Sequence, residues 1–158
     1  METALEVALI GVGATAVMDI WLIVLKLLNV PTLNFALLGR WVGHLFRGKW
    51  FHAGIAKSEP INNELAIGWA VHYAIGISFA VLLIAIFGIS WMRNPTLSPA
   101  VIVGIATVIA PLFMMQPAMG SGIAASKTAA PLRNCFKSVV NHAVFGVGLY
   151  LAALIVSI

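Results

Sequence analysis

Four long apolar runs constrain the fold of this 158-residue chain more than any other feature of its sequence. Each predicts a membrane span, because crossing the hydrocarbon core of a bilayer takes about 20 apolar residues in a helix. Hydrophobic residues make up 61% of the chain and charged residues 9%, too few charges to coat a soluble domain. We therefore expect an all-α integral membrane four-helix bundle in a single transmembrane domain. The predicted spans cover about residues 5–28, 65–89, 100–116 and 139–158.

The distribution of Lys and Arg predicts how the spans are oriented. Eight of these basic residues lie in or beside the loops that follow the first and third spans, whereas Arg93 alone follows the second. The positive-inside rule then puts both termini outside and the two basic loops in the cytoplasm. Orientation accounts for the basic charge, so we expect a lipid bilayer as partner and no nucleic acid. The acidic start at Glu2 and Glu6 argues against a cleaved secretory signal.

The first cytoplasmic loop carries an amphipathic pattern. Over residues 33–46, a short helix would present Arg40, His44 and Arg47 on one face, with Leu and Trp side chains covering the rest. A basic face opposite an apolar face is typical of a helix that lies in the membrane interface. We therefore expect an interfacial amphipathic helix in this loop. Glu64 should lie at the N-terminal end of the second span, where the helix dipole favours a carboxylate.

Each predicted span also carries a polar side chain in its cytoplasmic half. With a rise of 1.5 Å per residue, Asp19, His72 and His142 lie about 13, 10 and 5 Å from the cytoplasmic ends of their spans. Polar groups in lipid turn inward, so these side chains and Gln116 should converge on one pocket open to the cytoplasm. The expected pocket residues are Asp19, Arg40, His44, His72, Tyr73, Gln116 and His142. The candidate ligands for a metal or haem are Asp19, His44, His52, Glu64, His72 and His142.

Small residues flank two of these histidines. Gly68 and Gly76 lie one turn on either side of His72, and Gly146 lies one turn after His142. Such residues let a neighbouring helix approach closely. They would equally make room for a flat haem above an imidazole ligand. The spacing leaves both explanations open.

Two prolines interrupt the third span. Pro111 has no N–H and should free the carbonyl of Thr107, and Pro117 follows Gln116 directly. A freed carbonyl at membrane depth must meet protein, water or a ligand. Broken helices of this kind hold the substrate in many transporters.

Several motifs in the chain are familiar as a group. GATAVMD at 13–19, LN at 33–34, GRW at 39–41, HY at 72–73 and MQP at 115–117 resemble an uncharacterised family, classed as a domain of unknown function. Its members are small four-span proteins of the bacterial inner membrane, and the resemblance covers essentially the whole chain. It implies a bacterial inner-membrane location and four helices, and it implies no activity.

Three kinds of function fit these patterns. The leading hypothesis is a cytoplasm-facing pocket that binds a transition metal or haem, since neutral imidazoles and carboxylates ligate first-row metals. Whether such a site makes the protein an enzyme stays open, as does lipid chemistry at Arg40, Arg47 and Lys49. The alternatives are a small-solute or proton-linked transporter, with proton exchange at Asp19 and His72, and a structural membrane subunit. Four helices make a small pore wall, so transport would require a homo-oligomer.

Overall fold

The computed structural model describes residues 2–157, and this part of the chain is all-helical, with no β-strand. The predicted fold class is therefore confirmed. A 3₁₀ turn also forms at Ile55–Lys57 and another at Ile123–Ala125. The α-helices of the described residues are α1 (Glu2–Leu27), α2 (Phe35–Leu45), α3 (Glu64–Phe87), α4 (Ile89–Arg93), α5 (Leu97–Ala106), α6 (Gln116–Met119) and α7 (Pro131–Val156).

Four helical stretches are long and apolar enough to cross a membrane. They are Glu2–Leu27, Glu64–Phe87, Leu97–Met119 and Pro131–Val156. The last begins well before the apolar run that predicted it, because proline is favoured in the first turn of a helix and polar residues can continue one. Large apolar side chains on all four stretches are exposed, as expected for surfaces that face lipid rather than water. Examples are Ile20, Ile86, Ile102 and Ile155.

The third stretch is irregular at the position that its prolines predict. Regular α-helix ends at Ala106, and a π-helical segment follows over Ala110–Met115. The N–H of Gln116 donates to the carbonyl of Pro111, five residues earlier, which is the wide turn of a π-helix. The predicted break is confirmed.

The chain divides into two compact units. Unit 1 comprises residues 2–32, 73–107 and 139–157 among those described. Within it, segments of all four long helices pack around one apolar core, so unit 1 is a four-helix bundle. The fully buried core residues include Ile10 of α1, Leu83 of α3, Ala100 of α5 and Leu149 of α7.

Unit 2 comprises residues 33–72 and 108–138. It is built from short elements: α2, the first part of α3, the π-helical segment, α6, both 3₁₀ turns and the start of α7. Asn34 caps α2 by accepting a hydrogen bond from the N–H of Ala36 at 3.0 Å, which explains where this helix begins. A helix in the first loop was expected, and α2 confirms that it forms.

The basic face expected on α2 is not an outer face. Arg47, just beyond the helix, is exposed, but His44 is buried and Arg40 is partly buried. Of the three residues predicted to share this face, only Arg47 is therefore exposed. The physical reason is that the chain between α2 and α3 folds back and offers carbonyl oxygens and the Glu64 carboxylate as partners.

Candidate functional site

Unit 2 contains a cluster of polar side chains on and between α2 and α3, which we call the polar cluster: Arg40, His44, His52, Ser58 and Glu64. It includes an ion pair between the two helices. The guanidinium of Arg40 donates to both carboxylate oxygens of Glu64, at 2.8 Å each. Its remaining nitrogen donates to the carbonyls of Ala56 and Ser58, at 3.3 and 3.1 Å. Glu64 also accepts from the N–H of Ile61 at 3.2 Å, as a residue at the start of a helix can do. Arg40 thus neutralises Glu64 and holds the segment between the two helices.

Two histidines continue the cluster. Nε2 of His44 lies 2.9 Å from the carbonyl oxygen of Glu59, and a carbonyl only accepts, so this nitrogen carries the proton. The ring of His52 lies edge-on to that of His44, with 4.9 Å between their centroids. Nδ1 of His52 is 2.8 Å from the hydroxyl of Ser58. The same segment of chain that Arg40 holds therefore also orients His52.

His52 lies against α6. Its backbone N–H donates to the carbonyl of Ala118 at 2.9 Å. Gly120 ends α6 with φ of 96°, and a Cβ there would meet the carbonyl group of Ala53 at 2.6 Å. A side chain at position 120 would be strained and would push the two segments apart. The glycine therefore allows the chain around His52 to lie on α6, the helix that Gln116 begins.

Among the described residues, two buried side-chain atoms have no hydrogen-bond partner, and both belong to unit 2: Nε2 of His52 and Oε1 of Gln116. Buried polar groups are almost always paired, and an unpaired one costs about 1–3 kcal/mol. Burial lowers the pKa of His52, and the nearby His44 and Lys49 lower it further. His52 is therefore neutral at neutral pH. Unit 2 therefore contains one neutral imidazole nitrogen and one amide oxygen that are buried and unpaired.

In unit 1, polar side chains of the spans pair with one another. The hydroxyl of Tyr73 donates to Asp19 at 2.9 Å, and the indole N–H of Trp21 donates to Asn141 at 2.9 Å. Asn141 and Trp21 were not among the predicted site residues. The signal was present, since Asn141 is a polar residue within an apolar run, directly before His142.

His142 lies beside α5 within unit 1. Its Nδ1 is 2.9 Å from the hydroxyl of Thr107 and 3.2 Å from the carbonyl oxygen of Gly104. The ring of Phe79 is also near, with 6.2 Å between centroids. Thr107 was expected to matter through its freed carbonyl, whereas its hydroxyl makes the contact with His142.

His72 belongs to unit 2 and contacts aromatic rings. The centroid of its ring is 4.5 Å from that of Phe35 and 5.9 Å from that of Trp69. The predicted residues therefore divide between the units. Asp19, Tyr73 and His142 lie in unit 1, and Arg40, His44, His52, Glu64, His72 and Gln116 lie in unit 2. A single pocket that gathers both sets stays a prediction.

The glycines beside His72 and His142 are used for helix packing. A Cβ on Gly68 would collide with the carbonyl of Phe35, and one on Gly76 with the hydroxyl of Thr15. A Cβ on Gly146 would lie 2.8 Å from the backbone of α5. Small residues at these positions therefore let neighbouring helices approach, the first of the two explanations that the spacing left open.

Within residues 2–157, no three or more His, Cys, Asp or Glu side chains come together in a way that would hold a metal ion. His44 and His52 do lie beside each other, with 4.9 Å between their ring centroids. Nε2 of His44 already donates to a carbonyl, whereas Nε2 of His52 is buried without a partner.

Comparison with known proteins identifies the family. The family model described as "Protein of unknown function (DUF2938)" matches residues 8–156, which is nearly the whole chain, so the protein belongs to this family. No curated protein and no solved structure gives a significant match. The family confirms the resemblance drawn from the motifs and assigns no activity.

Proposed function

We propose that this member of the DUF2938 family is a membrane transporter for a small uncharged polar solute, which His52 and Gln116 bind. One observation carries the proposal: Nε2 of His52 and Oε1 of Gln116 are buried without partners. A solute with hydrogen-bonding groups for these two atoms would remove the cost of leaving them unpaired. Water is the smallest molecule that does so, and the experiment below separates it from a solute.

The chemistry of the cluster favours a solute without net charge. His52 is neutral because burial lowers its pKa. The charge of Arg40 is paired with that of Glu64, so neither is available to a bound ion. Taking an ion out of water into such surroundings is costly, whereas amide or hydroxyl groups need only hydrogen bonds. Amides and polyols of low molecular weight are therefore the proposed solute class.

The broken third span supports transport rather than binding alone. Gln116 begins α6 at the end of the π-helical segment, so an unpartnered side chain lies where the helix is irregular. Transporters commonly place their substrate at discontinuous helices, and π-helical turns are frequent at functional sites. A route through one chain of this size is narrow, and we therefore propose a homo-oligomer.

The proposed orientation follows the positive-inside rule. Both termini lie outside, and the two basic loops lie in the cytoplasm of a bacterial cell, across its inner membrane. The segment that carries His52 is part of the first of these loops. The proposed solute site therefore lies toward the cytoplasmic side.

A metal or haem is the alternative occupant, and metal content and the absorption spectrum of the purified protein test for it. Nε2 of His52 would supply an imidazole ligand, and Oε1 of Gln116 a weaker oxygen ligand. The solute is preferred because, within residues 2–157, no three or more His, Cys, Asp or Glu side chains come together as metal ligands.

Osmotic reswelling of proteoliposomes tests the proposal. Acetamide, urea and glycerol should enter vesicles that contain the wild-type protein faster than protein-free vesicles, and acetate should not. Gln116→Leu should abolish the difference, because it removes the acceptor with little change in volume. Asn94→Leu, a polar-to-apolar change at an exposed position, is the matched control and should behave as the wild type does.

Two outcomes would overturn the proposed function. Equal reswelling of wild-type, Gln116→Leu and protein-free vesicles would leave only water in the cluster. Stoichiometric metal, or a Soret band, in the purified protein that is lost in His52→Phe would replace the solute with a metal or haem.

A further inference from the structure

An exposed aromatic and basic segment follows α2 in unit 2. We call residues 46–51, with the sequence Phe-Arg-Gly-Lys-Trp-Phe, the aromatic tip. Its rings are among the most exposed in the described chain: Phe46 is 89% exposed, Trp50 62% and Phe51 73%. Arg47 and Lys49 alternate with the rings and are exposed as well. The tip contains no acidic residue.

The aromatic tip is held in a defined shape. The N–H groups of Arg47 and Lys49 both donate to the carbonyl of His44, at 3.0 Å, and Gly48 donates to Leu45 at 2.9 Å. Gly48 has φ of 74°, a conformation that favours glycine. The indole N–H of Trp41 donates to the carbonyl of Trp50 at 3.1 Å. The backbone that carries Phe46 and Trp50 is therefore held in place, so less backbone entropy is lost when a partner binds.

Three exposed aromatic rings raise the free energy of the protein in water and lower it at the boundary between lipid headgroups and acyl chains. Aromatic side chains interleaved with Lys and Arg are the combination that binds an anionic membrane surface. The rings enter the boundary region, and the basic groups meet phosphate oxygens. Because the aromatic tip has no Asp or Glu, no carboxylate within it repels the anionic headgroups.

From this arrangement we infer that the aromatic tip is a docking surface for anionic phospholipid headgroups, in which Arg47 and Lys49 bind the phosphates and Phe46, Trp50 and Phe51 enter the layer beneath them. The inference is independent of the solute proposed for His52 and Gln116. It goes beyond general bilayer contact, because it assigns a preference for anionic lipid to one six-residue segment, the aromatic tip.

Lipid selectivity measures this preference directly. The wild-type protein should be reconstituted with spin-labelled phosphatidylglycerol or phosphatidylcholine, and the motionally restricted fraction of each compared. Replacing both Arg47 and Lys49 by Gln should lower the selectivity for phosphatidylglycerol at least about twofold, since basic residues near an anionic surface each contribute a preference. The matched control, Lys57→Gln with Lys127→Gln, removes the same charge from two other exposed positions of unit 2 and should change the selectivity little.

The depth of the tip is the second readout. A nitroxide at Phe46→Cys, in a Cys135→Ser background, should collide with oxygen more often than with a water-soluble nickel chelate. A nitroxide at Lys57→Cys should show the reverse.

Three results would overturn the inference. The first is an equal loss of selectivity in the two double variants, and the second is a water-accessible label at position 46. The third is a nitroxide at position 46 that neither oxygen nor the nickel chelate reaches and whose spectrum is broadened by a second nitroxide. That result would place a second copy of the chain, rather than lipid, on the aromatic tip.

Discussion

The two units satisfy their polar groups in different ways. In unit 1, long helices satisfy their own backbone. Their polar side chains pair with each other, as Tyr73 and Asp19 do, or bond to carbonyls within the helix, as Thr15 does. In unit 2, the chain between α2 and α3 is irregular, and side chains such as Arg40 and His44 supply donors to its carbonyls. Unit 2 also contains two buried side-chain atoms that have no partner, Nε2 of His52 and Oε1 of Gln116.

Backbone conformation shows the same contrast. Of the eight described residues with positive φ, six lie in unit 2, including Ala124 at 49° and Ala125 at 59°. A non-glycine residue in the left-handed region costs about 1–2 kcal/mol and persists only where its surroundings hold it. Strain of this kind clusters at functional sites. The four-helix bundle of unit 1 therefore holds the regular apolar core, whereas the short elements of unit 2 carry most of the strained backbone and both unpaired polar atoms.

Of the changes proposed here, breaking the Arg40–Glu64 ion pair of unit 2 should lower the free energy of unfolding the most. Arg40→Ala should lower the free energy of unfolding by about 2 kcal/mol, because it leaves a partly buried carboxylate and two carbonyls without their donor. Denaturant titration in micelles measures the loss, and hydrogen exchange should rise at residues 55–61. Arg47→Ala, a change at an exposed arginine nearby, is the control. Unchanged exchange at residues 55–61 in Arg40→Ala would show that Arg40 does not hold this segment.

Two near-isosteric substitutions sharpen the contrast between paired and unpaired groups. Tyr73→Phe should cost about 1 kcal/mol of unfolding free energy, since it removes a hydrogen bond from Asp19 within a span. Gln116→Leu should cost nothing or stabilise the protein, because it removes a buried amide oxygen that has no partner. The same titration compares them. A cost for Gln116→Leu equal to that of Tyr73→Phe would mean that Oε1 of Gln116 is paired in solution.

The smallest expected effect is a dependence of stability on pH. The unfolded chain binds a proton at His52 with the ordinary pKa of about 6.5, whereas burial holds the folded pKa lower. The contribution of neutral His52 is therefore fully present above that pH and is lost as the pH falls toward the folded pKa. As the pH is lowered from about 6.5 toward the folded pKa, the free energy of unfolding should fall by less than about 1 kcal/mol per pH unit. His52→Phe should reduce the slope, and an unchanged slope would assign it to other groups.

The helices were predictable from the chain because each depends on local features. A run of about 20 apolar residues can satisfy its backbone in lipid only as a helix, so the four spans follow from hydropathy alone. Pro111 likewise predicts the irregular third span, because a missing N–H is a property of the residue itself. The resemblance to an uncharacterised family rested on such short motifs, and the family match confirms it.

The candidate site depended on partners that are distant in the chain. Arg40 and His44 carry the same charge pattern whether they face lipid headgroups or turn inward, and hydropathy cannot distinguish the two. The carbonyls of residues 56–59 decide between them, and those carbonyls become available only when the chain folds back on α2. Ser58 was missed for the same reason, since an isolated serine in a loop gives no signal until a histidine lies beside it.

Local physics thus determines that this chain is helical, apolar and interrupted at Pro111. Long-range packing decides which polar groups are paired, because a hydrogen bond needs two groups within about 3 Å and sequence spacing does not set that distance outside regular structure. His52 and Gln116 are separated by many residues, yet each has a buried side-chain atom in unit 2 without a partner. That pair of atoms, on which the proposed function depends, exists only in the folded protein.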